Sequence, residues 1–236
     1  MVAPAGYRGE RDGALMTEEA PRARRTYRSP RREQQAGETR AVVLAAAVRL
    51  FGERGWAATG MRDVAREAGV SVETVYAGFR SKGDLLMAAL DVAVVGDARP
   101  ETLAERPEFA GLAAGTRRER IAAAARLVTA IHRRTAGVHL ALREAAGSNG
   151  DLAEKLRDNQ RRRRISIEQG MTLVTGRAVT PQELDGVWAV LGVEVYQLLT
   201  GLSGWTPQQY EQWAAGVIDR LLDTDDDGAR HRGGEA

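Results

Sequence analysis

The chain has 236 residues, a formal net charge of +2 and no cysteine, a length that suits one large domain or a small domain joined to a larger one. The missing cysteines exclude disulfides, thiolate metal sites and a cysteine nucleophile. Abundant Ala, Leu, Val, Arg and Glu with only three Phe and seven Pro favour helix over strand throughout, so an all-α protein is expected.

No apolar run approaches the roughly 20 residues of a membrane span, and the opening MVAPAGYRGERDG has no apolar stretch of the secretory kind. A cytoplasmic protein with no membrane partner is expected. Residues 1–36 are Arg-, Gly-, Pro- and Glu-rich, with six arginines among the twelve residues from Pro21 to Arg32. Such a segment cannot offset the entropy of ordering and is expected to form a disordered, Arg-rich arm, either simply solvated or following a nucleic-acid backbone.

Periodic sequence starts near Glu38. Val43, Ala47, Leu50 and Phe51 fall at i, i+4, i+7 and i+8 and predict an amphipathic first helix that stops at Gly55. A short second helix is expected with Thr59 as its N-cap and Met61, Val64, Ala65 and Ala68 on its buried face. Gly69 is placed to stop it, with Val70 packing back on the last turn. Ser71 then caps a third helix, SVETVYAGF. So short a link makes the two helices cross steeply, which is the geometry of a helix-turn-helix spanning residues 59–79. Ser81 and Asp84 form a capping box for a fourth helix.

On the third helix Val75 and Phe79 are the expected anchors, while Glu73, Thr74, Tyr76 and Ala77 point outward. A helix presenting short side chains fits the major groove, and its N-terminus offers free N–H groups to phosphates. The segment TRAVVLAAAVRLFGERGWAATGMRDVAREAGVSVETVYAGFRSKGDLLMAAL strongly resembles the N-terminal DNA-binding domain of TetR-family regulators. Its LF-ERG, VA-EAGVS, T-Y--F and SK--LL elements carry the likeness over about a quarter of the chain. The resemblance implies an all-α homodimer whose N-terminal three-helix modules bind double-stranded DNA, joined by a fourth helix to a C-terminal helical bundle for ligand binding and dimerisation. By position it implies phosphate contacts from Thr59, Thr74, Tyr76 and Lys82. Ser71 caps the reading helix, and Val72, Glu73 and Ala77 stand where bases are approached. Glu73 and Gly78 depart from the family pattern, which usually has Gly and a bulky polar residue there, so the family's base preference does not carry over.

The corresponding boundaries are 1–36 for the arm, 37–96 for the DNA-binding domain, 97–222 for an effector-binding and dimerisation domain, and 223–236 for a disordered acidic tail. Residues 96–115 read as an irregular connector with one short helix. Long helices follow over about 116–146, 151–174, 181–202 and 207–222, the last two opened by Thr180-Pro181 and Thr206-Pro207. Leu191, Val195, Leu198 and Leu202 form a spine that could pair across a two-fold axis or serve as intramolecular core. His132 and His139 share an apolar stripe and could line a pocket for a small-molecule effector, with Met171, Trp188 and Tyr196 as further candidates. The run Arg161–Arg164 reads as a solvated face.

No H-E-x-x-H, P-loop or G-x-S-x-G pattern occurs, so neither an enzyme, a cofactor nor a metal site is expected. The expected function is a sequence-specific transcriptional regulator, a repressor released by its effector. An architectural DNA-binding protein without an effector is the alternative.

Overall fold

The computed structural model describes residues 30–222; the expected acidic tail and most of the expected arm lie outside them. Among the described residues there is no strand. The helices are α1 (Pro30–Arg54), α2 (Met61–Ala68), α3 (Val72–Gly78), α4 (Lys82–Val95), α5 (Pro107–Ala110), α6 (Arg117–Ala146), α7 (Gly150–Thr175), α8 (Pro181–Val190), α9 (Val193–Gln197) and α10 (Pro207–Leu221). Helix α1 begins earlier than the apolar pattern does. Gln34 donates to the Glu38 carboxylate and Thr39 to the Gln35 carbonyl, so local i,i+4 bonds extend the helix into part of the expected arm.

Helices α1 to α4 pack around Val43, Ala47, Leu50, Phe51, Val64, Val75 and Leu86, all buried. The turn between α2 and α3 forms as the residues require. Gly69 takes φ +66°, its N–H and that of Val70 close on the carbonyls of Arg66 and Ala65, and Val70 packs on the core. Ser71 Oγ accepts from the Thr74 N–H, and Ser81 Oγ from the Asp84 N–H, starting α3 and α4. Thr59 is not the cap of α2. Gly60 holds that position, with its N–H donated to the Asp63 carboxylate.

The core of this unit does not close on itself. Val138, Ala141, Leu142 and Ala145 of α6 and Leu152 of α7 complete it. A second core joins α6, α7, α8 and α10 around Ala125, Val174, Val187, Tyr210 and Ile218. The two cores therefore share α6 as a common spine.

The helix expected over 181–202 is broken. Helix α8 ends at Val190, Gly192 caps α9, and Leu198–Leu202 form a π-helical segment. The break is stabilised from α7, because the Arg163 guanidinium donates to the carbonyls of Trp188 (3.0 Å) and Leu191 (2.7 Å) that the interrupted helix leaves open. Arg163 departs in this from the solvated face expected for Arg161–Arg164. Arg161, Arg162 and Arg164 keep exposed side chains and pair at the surface with Asp158, Asp91 and Asp185. Leu191 is core, whereas Leu198 and Leu202 are exposed.

Candidate DNA-binding face and internal cavity

Helix α3 presents Glu73, Thr74, Tyr76 and Ala77 to solvent while Val75 and Phe79 are buried. Tyr76 is 54% exposed, the largest apolar body on that face. Val72 is half-buried against the core. The Ser71 and Thr74 hydroxyls lie 3.0 Å apart and bond each other. Glu73 sits in the first turn, where its own N–H and the Ser71 hydroxyl hold its carboxyl below the usual range. An anion thus already occupies part of the helix N-terminus.

Two expected contacts sit differently. Thr59 is buried and donates its hydroxyl inward to the Leu50 carbonyl, at 3.1 Å, so it holds the end of α1 and does not face outward. Lys82 is half-buried. Its ammonium donates to the Trp56 carbonyl and lies 4.0 Å from the Trp56 ring centroid, and burial lowers its pKa. Arg40 joins the face without any signal in the sequence. From α1 it lies over the Phe79 ring at 4.5 Å and reaches the Gly78 carbonyl at the end of α3, a placement favoured by the negative end of the helix dipole. It is separated by 38 residues from that carbonyl, so no local pattern reveals it.

Besides the shared core and the Asp91–Arg162 pair, polar contacts from α6 and α7 tie this unit to the rest. Glu144 on α6 accepts from the Trp56 and Ala57 N–H groups, at 2.8 and 3.2 Å. Arg134 on α6 donates to the Ala93 and Val94 carbonyls at the end of α4, each at 2.8 Å. Lys155 on α7 meets Asp84 at 2.6 Å.

The far half of α4 forms one wall of a cavity of about 510 Å³ bounded also by the 96–115 connector, α6, α7 and α8. His132, His139 and Met171 line it. Trp188 does not. It lies in a neighbouring cleft on the other side of His139 and Arg163. Tyr196 is also absent from the wall, because it packs behind His132 at 5.6 Å and edge-on to Tyr210 at 4.8 Å.

His132 is 3% exposed, with Nδ1 3.1 Å from the Tyr210 hydroxyl. Burial, reinforced by Arg163 and then His139, pushes its pKa down to about 3. The folded state therefore binds fewer protons here than the unfolded chain, and this contribution to stability, complete above the unfolded value of about 6.5, is lost as pH falls towards 3. We predict that the denaturant midpoint drops between pH 7 and pH 4 and that His132→Phe flattens this profile. An equally steep profile in the variant would contradict the assignment.

The architecture defines a class: an all-α protein with a helix-turn-helix on a helical body that encloses a cavity. Residues 43–89 match the family model described as bacterial regulatory proteins, tetR family. Over 61 residues the chain is 43% identical to the HTH-type transcriptional regulator TtgR and to the probable regulator ArpR, both of Pseudomonas putida. The match covers 26% of this chain and only 29% of either relative. Solved structures share the fold over a longer span. A TetR-family regulator from a Rhodococcus species aligns with TM-score 0.60 at 22% identity, over 78% of this chain and 98% of that one. A regulator from Saccharomonospora viridis, solved with choline, gives 0.57 at 25%, over 77% and 96%. The N-terminal unit is thus similar to the tetR-family DNA-binding domain, and the chain shares its overall fold with regulators of that kind.

Proposed function

We propose that the protein is a homodimeric, sequence-specific DNA-binding transcriptional regulator, a repressor that leaves its operator when a small molecule enters the cavity. The observation that carries this reading is the double role of α4. It starts at Lys82, against the helix-turn-helix, and its Leu90, Asp91, Val94 and Val95 wall the cavity. A ligand that prefers one position of α4 shifts the orientation of α3 by its differential affinity for the two states. An architectural protein would have no use for such a cavity.

The proposed DNA-facing set is Ser71, Glu73, Thr74, Tyr76 and Ala77 of the α3 segment, with Lys82 beside it. Lys82→Met should weaken binding to any duplex and lower the salt slope by about one, as for a single lost phosphate contact. Equal affinity at every salt concentration would assign Lys82 to the Trp56 contact alone.

Dimerisation is proposed through the exposed leucines that follow the α8–α9 break. Leu202 is 82% exposed and Leu198 53%, and a face of this kind on a late helix pair suits an isologous contact. Leu202→Glu is predicted to give a monomer by sedimentation and to cost at least about tenfold in operator affinity, since one half-site is then lost. A variant that still sediments as a dimer would move the interface elsewhere.

The test of the reading as a whole is a mobility shift on the DNA flanking the coding sequence. Retardation at nanomolar protein that survives excess non-specific duplex is expected. Retardation abolished by that competitor would favour the architectural alternative.

A further inference from the structure

The cavity wall is mostly aliphatic and aromatic, with Leu90, Phe109, Val128, Ile131, Met171 and Val187 prominent. Its charged members are all engaged within the protein. Asp91 faces Arg162 at 3.5 Å. Asp97 is held by Arg99 and Arg106, and Glu101 by the same two arginines. Arg163 is committed to the Trp188 and Leu191 carbonyls. Thr135 donates its hydroxyl to the Ile131 carbonyl at 2.9 Å. A charged ligand would be desolvated against a mostly apolar wall whose own charges already have partners, so it gains little there to offset that cost.

One polar group is different. Among the described residues, four buried side-chain atoms lack a hydrogen-bond partner, and of these only His139 Nδ1 belongs to a residue of the cavity wall. His139 is 5% exposed, and its Nε2 lies 3.4 Å from the Gln160 amide nitrogen. An amide NH₂ only donates, so Nε2 accepts and the neutral ring carries its hydrogen on Nδ1. The result is a buried N–H donor in need of an acceptor, on the wall of an apolar space of ligand size.

Building on the effector reading of the cavity, we infer that its ligand is an uncharged, largely apolar molecule with a hydrogen-bond acceptor, such as a carbonyl oxygen, that takes the Nδ1–H of His139. The acceptor completes the pairing of His139, and the apolar body replaces water along the aliphatic wall.

Four probes of similar size test this by calorimetry on the full chain without DNA: benzophenone, diphenylmethane, 4-benzylbenzoate and diphenylmethylammonium. Benzophenone should bind about tenfold tighter than diphenylmethane, the effect of one buried hydrogen bond, and both charged probes should bind more weakly than benzophenone. His139→Leu should abolish the preference for the ketone while still binding diphenylmethane, and His139→Gln, which keeps a donor, should restore part of it. Equal binding of ketone and hydrocarbon by the wild type, tighter binding of either charged probe, or no binding of any probe would overturn the assignment. The wild-type series decides the matter even if a variant fails to fold. Benzophenone binding that leaves DNA affinity unchanged would instead fail the effector reading and leave this ligand class standing.

Discussion

Gly137→Ala is expected to destabilise the protein and loosen the DNA-binding unit, although alanine is the better helix former. A Cβ on Gly137 would stand 2.4 Å from the Gly52 carbonyl oxygen and 2.7 Å from its Cα, where α6 crosses α1. Backbone cannot swing aside as a side-chain tip does, so the two helices must separate. Overpacking of this kind costs about 1–3 kcal/mol or more, against an intrinsic helix gain of about 1 kcal/mol. The clash wins. In a chain of this size the melting temperature should fall by about 2–4 °C per kcal/mol lost. Gly52 is the internal control, because a Cβ there meets nothing within 4 Å. Gly52→Ala should be neutral or slightly stabilising. If both variants melted at the wild-type temperature, the close α1–α6 crossing would be wrong.

Phe51→Ala should have a larger effect, about 3–5 kcal/mol by analogy with other buried aromatics. Phe51 is fully buried and its ring stacks on Trp56 at 6.1 Å, the residue that carries Lys82. That is a large share of a typical total stability of about 5–15 kcal/mol. Since α6 side chains complete the same core, the loss should appear as a lower midpoint of one cooperative transition with little change in slope. Phe51→Leu should lose under half as much. A separate early transition confined to the N-terminal unit would show that the two cores unfold independently.

The helix-turn-helix was legible in the residues because every device that builds it is local. Gly69, Ser71 and Ser81 act on the backbone of their own turns, and the apolar spacing of α1 to α3 marks their buried faces. What escaped depends on distant partners. The inward turn of Thr59 follows from a bond to Leu50, in the preceding helix. The break after α8 depends on Arg163, which falls on the inward stripe of α7 with Leu156, Ile167 and Val174 but closes on carbonyls 25 and 28 residues away that no local pattern identifies. The cavity was half legible for the same reason. An apolar stripe on α6 marks His132 and His139, but whether Trp188 and Tyr196 face that space is decided by how α8 and α9 are broken.

In the proposed function α3 is the reading element of a dimer and α4 links it to the cavity. Hydroxyl-radical footprinting of the full chain on its flanking DNA tests this most directly. The prediction is two protected half-sites related by a dyad, their centres about one helical turn or a whole multiple of it apart, with protection lost in Tyr76→Ala at the same protein concentration. Uniform protection along the duplex, or half-sites that persist unchanged in Tyr76→Ala, would contradict the assignment of α3 as the element that docks on DNA.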